Sequence, residues 1–460
     1  MQVNQPRPTT VAETLARWAS DLPYTAVPDD VLDMTKMLVL DQLGLQVRGS
    51  TMPNVQPELR LVEDMAAAPE ATITNTSVRT TAAQAAYVNG TFGHSTEFDD
   101  CHLLAWHAGS VIVPAGIAIA EREALGGRDL LQALVTGHQV MSTLGGVYTD
   151  GMLARGWHGP KALGGFASAA VTGRLIGLSP TALANAFAIT ASDASGTMEY
   201  DRSGGEVKRL HAGAASRSGV EAALLSGHGL TGPLTIFEGP RGMFRMFGDV
   251  STHGSLEDLW SQWHLRDTMF RLNPGVGTVL SALDLVGDLQ SEHHIDWRDV
   301  VSVRVGLRAF AVHHGGAIVH PTDGVSAHFS LAFALALRLV TGGSAPEDYL
   351  SPETWADPTI RKVSELVRPY AHEFDEGMPL LSSHVEIELA DGRIFSRTQG
   401  GFSGSADRPA GREDIVGKFL TNISGILTDD DARAVLDMVD HLEDLDDISR
   451  LTRRLVPDGA

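Results

Sequence analysis

Residues 164–177, GGFASAAVTGRLIG, and residues 212–227, AGAASRSGVEAALLSG, decide how this chain is built. Each is long enough for several helical turns and lacks the strict apolar–polar alternation of a half-buried strand. Gly, Ala and Ser dominate both, and side chains that small let helix axes approach closely. They read as members of a compact, tightly packed helix bundle. VIVPAGIAIAERE at 111–123 and LANAFAITAS at 183–192 have the same character, so the bundle spans about Thr81 to Leu230. Membrane helices share this composition. Here Arg122, Glu123, Arg174 and Arg217 interrupt the apolar runs, and no window approaches 18 unbroken apolar residues, so no membrane partner is expected.

Outward from the bundle, Thr10 and Glu13 have capping-box spacing ahead of an amphipathic helix that ends near Leu22. A second helix is predicted from Asp30 to about Val47, with Val31, Met34, Leu38 and Leu45 on one stripe. Asp41 falls at the edge of that stripe, where a buried carboxylate needs a partner. The grammar changes near residue 266. A helix is expected over Val279–Leu289, a strand over VVSVRVGLRAF (300–310), and helices over VSAHFSLAFALALRLV (325–340) and TIRKVSELVRPY (359–370). HVEIELADGRIFSRT (384–398) alternates around Asp391-Gly392 and predicts a hairpin with a type I′ turn. After the loop at 400–414, helices are expected over 413–421, 429–440 and 445–454. The fold class is mainly α: a large all-helical bundle domain, residues 1–265 plus 405–460, interrupted by a smaller α+β lid domain, residues 266–404.

Of 460 residues, 43% are hydrophobic and only 6% aromatic, which calls for an aliphatic, small-residue core. The formal charge of -22, from 57 acidic and 35 basic residues, repels phosphate backbones and argues against nucleic acid as a partner. A small anionic substrate then needs a local gathering of the scarce Lys and Arg. Cys101 is the one cysteine, so neither an intrachain disulfide nor a cluster held by several thiolates can form. The opening residues lack the apolar core of a signal peptide, and a cytoplasmic setting is expected.

Three segments carry chemistry. The first, NGTFGHSTEFDDCHLLAWHAGSVIVP (89–114), packs Glu97, Asp99, Asp100, Cys101, His102 and His107 around a helix end. An acidic turn that caps a helix accounts for it equally well taken alone, and His102 and His107 have no familiar metal-ligand spacing. The second, RGWHGPKALGGF (155–166), places His158 and Lys161 where a Gly-rich loop enters a helix, a setting that can hold a carboxylate. The third, GGEVKRLHAGAASRSG (204–219), concentrates Lys208, Arg209, His211 and Arg217 in an acidic protein.

Together the patterns NGT-x-x-H-x-x-x-FDD-x-H, G-[aromatic]-H and K-R-LHAG-x-A-x-x-SG resemble the MmgE/PrpD family, which includes 2-methylcitrate dehydratase, cis-aconitate decarboxylase and iminodisuccinate epimerase. The resemblance continues through VIVPAGIAIAE, GLTGP (229–233), FSLAF and ADGRIFS. It implies a homodimer whose protomers pair a helical domain with a smaller lid, and an active site in the crevice between them. Carried over, His107, His158 and Lys208 match family active-site residues, and Asp99 and Asp100 match the FDD pair. Glu97 stands where the family's decarboxylases usually have Asp, Cys101 where Thr is common, Arg271 where the lid usually has Lys, and Phe333 where a tyrosine is frequent.

The family reactions share one physical problem, negative charge developing beside a carboxylate or carbonyl. Lys208, Arg271 and Lys161 are expected to clamp carboxylates, and His107 and His158 to move protons. Glu97, Asp99, Asp100, Cys101, His211 and Phe333 complete the expected substrate surround, with Cys101 a buried small residue rather than a nucleophile. No cofactor and no metal are expected. The leading reading is a lyase, dehydrating or decarboxylating a small di- or tricarboxylate. An epimerase that removes and returns an α-proton, and an inactive relative that binds a small anion, are the alternatives.

Overall fold

A computed structural model describes residues 9–248 and 260–457. Residues 1–8, part of the stretch read for a targeting signal, lie outside the described residues, as does the segment just before the expected boundary at 265. The described chain is mainly helical, with a small mixed sheet in its C-terminal part. That is the class the sequence predicts.

The longer helices of the first part are α1 (Val11–Asp21), α2 (Asp29–Ser50), α3 (Ala82–His94), α4 (Gly109–Arg122), α5 (Gly127–Ala154), α6 (Gly159–Leu175), α7 (Pro180–Thr190) and α8 (Val207–Gly227). The capping box at α1 is formed: Thr10 Oγ1 accepts the Glu13 N–H at 3.3 Å, and Glu13 Oε2 accepts the Thr10 N–H at 3.0 Å. Small residues bring α3, α6 and α8 together. A Cβ added at Gly213 of α8 would stand 2.1 Å from the Tyr87 carbonyl oxygen of α3, and one at Gly219 would stand 2.3 Å from the Gly165 carbonyl oxygen of α6. These helices touch backbone to backbone, as their composition predicts.

In the second part, α9 (Gly277–His293) and α10 (Leu331–Thr341) cover a sheet, and α11 (Arg412–Ile423) and α12 (Asp429–Asp440) follow it. Two short ladders, β1 (Ala71–Thr72) with β2 (Arg79–Thr80) and β3 (Asp100–Cys101) with β4 (Met269–Phe270), precede the main strands. The main sheet runs in the order β6 (Val367–Ala371), β5 (Val300–Leu307), β7 (Ser383–Leu389), β8 (Ile394–Gln399). Its β5–β6 pair is parallel and the others antiparallel. Two large apolar cores result. One joins α1 through Phe270 to residues from Ala410 to Leu455, and the other gathers Met269 to Phe402 with Tyr200. The partner that Asp41 requires comes from α11, where Lys418 Nζ lies 2.6 Å away with both side chains buried.

Local readings are corrected at five places, one of them the helix predicted over 445–454, which is α-helical only at Ser449–Thr452. The strand predicted for 300–310 stops at Leu307, and Ala309–His313 form a short helix. The helix predicted over 325–340 is two helices, because Ser330 Oγ turns to accept the Phe333 N–H at 3.1 Å and starts α10 afresh. The segment 359–370 is helical only to Ser364 and then becomes β6. The hairpin exists, but its turn is not type I′. The Gly392 N–H closes on the Leu389 carbonyl at 2.9 Å, and Gly392 alone adopts positive φ, +87°. A three-residue loop with glycine in the left-handed region accommodates this. No helix among the described residues is long and apolar enough to cross a membrane.

Candidate active site

The loop leaving α3 is the centre of the site. Glu97 and Trp106 both adopt left-handed backbone, φ +48° and +55°, conformations that cost a non-glycine residue about 1–3 kcal/mol and persist only where surroundings enforce them. The enforcement is visible. Cys101 pairs with Met269 and Asp100 with Phe270 in the β3–β4 ladder, and the Gly275 N–H donates to the Glu97 carbonyl at 2.9 Å. That ladder delivers Arg271 to the loop. The Arg271 Nε–H donates to the Asp99 carbonyl at 2.7 Å, and Nη1 to Glu97 Oε2 at 3.1 Å and the Gly275 carbonyl at 3.0 Å. Nη2 forms an ion pair with Asp99.

From α8, Lys208 ion-pairs with Glu97, and Arg209 Nη1 lies 3.5 Å from the same carboxylate. Burial would raise the Glu97 pKa, yet Lys208, Arg271, His94 and Arg209 together hold it well below the usual range. Asp99 is likewise kept ionised against its burial, by its hydrogen bond to His94 and by the Arg271 guanidinium. Asp100 goes the other way. Burial and the neighbouring Asp99 charge push it up to about 8, and its Oδ2 accepts the Gly109 N–H at 3.0 Å. The FDD pair therefore splits into one charged and one neutral carboxyl group. Burial, with Arg271 nearby, pushes the Lys208 ammonium down against the pull of Glu97.

His107 Nδ1 lies 2.8 Å from the Asp100 carbonyl oxygen. A carbonyl only accepts, so Nδ1 carries the hydrogen and Nε2 is left with its lone pair. Burial, then Arg271 and Lys208, bring the His107 pKa down to about 3, so its imidazole is neutral at pH 7. His158, at the start of α6, places Nδ1 2.9 Å from Nδ1 of His211. One ring donates and the other accepts, so the two cannot both be cationic. Burial lowers both, His211 to about 3.

These groups open onto a cavity of about 670 Å³, whose lining includes Glu97, His107, His158, Lys208 and Arg271. Cys101 lines it too, and burial pushes its thiol up to about 12, so it stays protonated. Asp99, Asp100 and His211 stand behind the lining and fix the groups in front. Two expected residues lie elsewhere. Lys161 turns to Asp193, donating to its carbonyl and its carboxylate at 2.8 Å each. Phe333 is buried on α10 against Tyr349, ring centroids 5.6 Å apart, because α10 presents its apolar face to the second core.

The structure adds groups to which the sequence reading gave no role, His94 of the NGT-x-x-H pattern among them. His94 Nδ1 lies 2.8 Å from Asp99 Oδ2, and its Nε2 lies 3.4 Å from Lys208 Nζ. Tyr200, from a short helix (Tyr200–Ser203) without a motif, contributes a buried phenol whose ring is 5.5 Å from that of His158. His313 and His314 also reach the cavity. His94, His107 and His158 offer ligand atoms within 4.8 Å of one another. An ammonium 3.4 Å from one of those nitrogens opposes a second cation there.

Residues 13–254 match the MmgE/PrpD N-terminal domain, and residues 277–444 match the MmgE/PrpD C-terminal domain. The chain belongs to the MmgE/PrpD family. This MmgE/PrpD protein is 28% identical to the cis-aconitate decarboxylase of Aspergillus terreus, over 97% of the chain and 96% of that relative. It is 26% identical to the cis-aconitate decarboxylase-like protein oryM of Aspergillus oryzae, over 96% of each. With the cis-aconitate decarboxylase of Homo sapiens it shares 25% identity, over 97% of the chain and 94% of the relative.

Proposed function

We propose that the protein is a lyase acting on a small di- or tricarboxylate in the crevice between its two cores, by general acid/base chemistry without a cofactor. The observation that carries this reading is the His107 ring, whose Nδ1 faces the Asp100 carbonyl oxygen, lining the same cavity as Lys208 and Arg271. Relatives named as cis-aconitate decarboxylases support a carboxylate substrate. The two cores also support the division into residues 1–265 with 405–460, and 266–404. The homodimer and the cytoplasmic setting belong to the same reading and rest on the family resemblance and the single cysteine.

In a dehydration, His107 Nε2 takes the proton beside a substrate carboxylate and the C–H electrons form the alkene. The C–O bond breaks, and Lys208 supplies a proton so that water leaves. In a decarboxylation, the C–C bond breaks, carbon dioxide leaves, and the electron pair stays on carbon until Lys208 returns a proton. In both, Lys208 and Arg271 face the developing charge in a site screened from water, where such contacts are strong. Arg271 stays protonated throughout and serves only as a clamp.

Proton NMR in deuterated buffer, with citrate-, aconitate-, methylcitrate- and aspartate-derived acids, tests the reading. A new alkene signal or a shortened product supports a lyase. An unchanged, unexchanged panel would refute it and leave an inactive relative that binds anions. A second reading, an epimerase, draws on His107 and His158, two neutral imidazoles with ring centroids 6.4 Å apart. Exchange of an α-proton without new carbon species would favour it.

A further inference from the structure

Among the described residues that line the cavity, Thr149, Thr278 and Tyr200 carry a hydroxyl group. Thr149 Oγ1 donates to the Gly145 carbonyl at 2.7 Å and Thr278 Oγ1 to the His314 carbonyl at 2.6 Å. Each has spent its one hydrogen on the backbone. Tyr200 has not. Its ring meets those of His158, His211 and Phe329, with centroids 5.5, 5.9 and 6.2 Å away, but its hydroxyl finds no partner among the described residues. The residue is only 4% exposed, and a tyrosine so buried ordinarily pairs its O–H. An unpaired phenol in a cavity wall is a donor waiting for a ligand.

The backbone holds this phenol beside the acid/base groups. The Met198 N–H donates to the Gly156 carbonyl at 2.8 Å, and the His158 N–H to the Gly196 carbonyl at 2.9 Å. The segment leading to Tyr200 is therefore laced to the turn that presents His158. Phe329, which Tyr200 meets edge to face, has its ring centre 5.8 Å from Lys208 Nζ. Burial, with Glu97 and Asp201 nearby, raises the phenol well above its ordinary range, so it keeps its proton.

The cations of the site are largely committed. Lys208 pairs with Glu97. Arg271 gives Nε–H to the Asp99 carbonyl, Nη1 to Glu97 and Gly275, and Nη2 to Asp99. A substrate oxygen that gathers charge gains most from a donor with no earlier partner. Fixed neutral donors, tyrosine among them, act strongly on such charge where water is excluded.

Resting on the lyase reading, we infer that Tyr200 is a further catalytic residue, its O–H donating a hydrogen bond to the substrate carboxylate beside the reacting carbon. The contact forms on binding and strengthens as charge moves onto that carboxylate. The phenol O–H bond stays intact throughout.

Tyr200→Phe removes the hydroxyl and keeps the ring, so its melting temperature should match that of wild type. Calorimetry and proton NMR with the citrate-, aconitate-, methylcitrate- and aspartate-derived acids then compare the two proteins. The variant should bind the best acid about tenfold more weakly and lose about 10²–10³ in kcat/KM. In wild type isotopically labelled at tyrosine Cζ, the signal that the variant lacks should move when that acid binds. A signal that stays in place overturns the contact. A variant that binds and converts the acid as wild type does also overturns it, and leaves the lyase reading intact. If wild type binds an acid but converts none, the lyase reading fails, and the affinity ratio of the two proteins still decides Tyr200. If wild type binds no acid of the panel, both fail.

Discussion

Asp100→Asn should change the pH dependence of stability more than stability itself. Asp100 is buried beside the charged Asp99, with its own pKa pushed up to about 8. Unfolded, the same carboxyl ionises near the ordinary aspartate value of 3.8. Between those values the folded chain holds a proton that the unfolded chain has lost, so ionisation favours unfolding and stability falls as pH rises. At about 1.4 kcal/mol per pH unit, the loss from pH 5 to pH 7 is roughly 2–3 kcal/mol. Asparagine matches the neutral acid in size and still accepts the Gly109 N–H, but cannot ionise. The proton on Asp100 also has somewhere to go. Gln42 Nε2 lies 3.4 Å from Asp100 Oδ1 while Gln42 Oε1 has no partner, and the same amide turned over accepts from the acid. Paired urea unfolding of wild type and variant at pH 5, 6 and 7 gives the difference directly. It should shift by 2–3 kcal/mol toward the variant as pH rises, to about that order. A difference that stays constant would show Asp100 ionised in the folded protein and refute the split of the FDD pair.

Other expectations concern the acid/base group, the buried pair and the helix packing. His107→Ala should lower kcat/KM by about 10²–10⁴ with an unchanged circular dichroism spectrum, since it removes a proton acceptor and little packing. Lys418→Met strands the buried Asp41 carboxylate and should cost about 3–5 kcal/mol in urea unfolding, with Asp41→Asn/Lys418→Met recovering much of it. Gly213→Ala drives a methyl to within 2.1 Å of the Tyr87 carbonyl oxygen, so it should cost about 1–3 kcal/mol and disturb the adjacent His211–His158 contact, read as weaker thermal stability and slower turnover.

The helix bundle was legible because small residues recur where α3, α6 and α8 touch, and the charges at Arg122, Glu123, Arg174 and Arg217 set it apart from membrane helices of like composition. The site loop was legible because Glu97, Asp99, Asp100 and His107 lie within eleven residues of one another in sequence. β6 was hidden: Ile360, Val363 and Val367 keep helical spacing past the end of the helix. Only its place at the sheet edge, which tolerates Pro369, marks the strand. Lys161 was misleading because a lysine in a Gly-rich helix entrance resembles an anion site, and sequence does not show Asp193 folding back onto it. Tyr200 was missed because its part in the site arises from the second core meeting α8. His94 had a signal, its fixed place in the NGT-x-x-H run, but its role depends on Asp99 and Lys208 being brought to either side of the ring.

The claim beneath the dehydration route is that chemistry begins from a neutral imidazole at His107. The pH profile of kcat/KM on the best acid of the panel, corrected for that acid's own ionisation, reports the free enzyme's essential groups. With His107 brought down to about 3, the account predicts no acid limb between pH 5 and 7. An acid limb centred near pH 6.5, abolished in His107→Ala, would mean an ordinary imidazole and contradict the account.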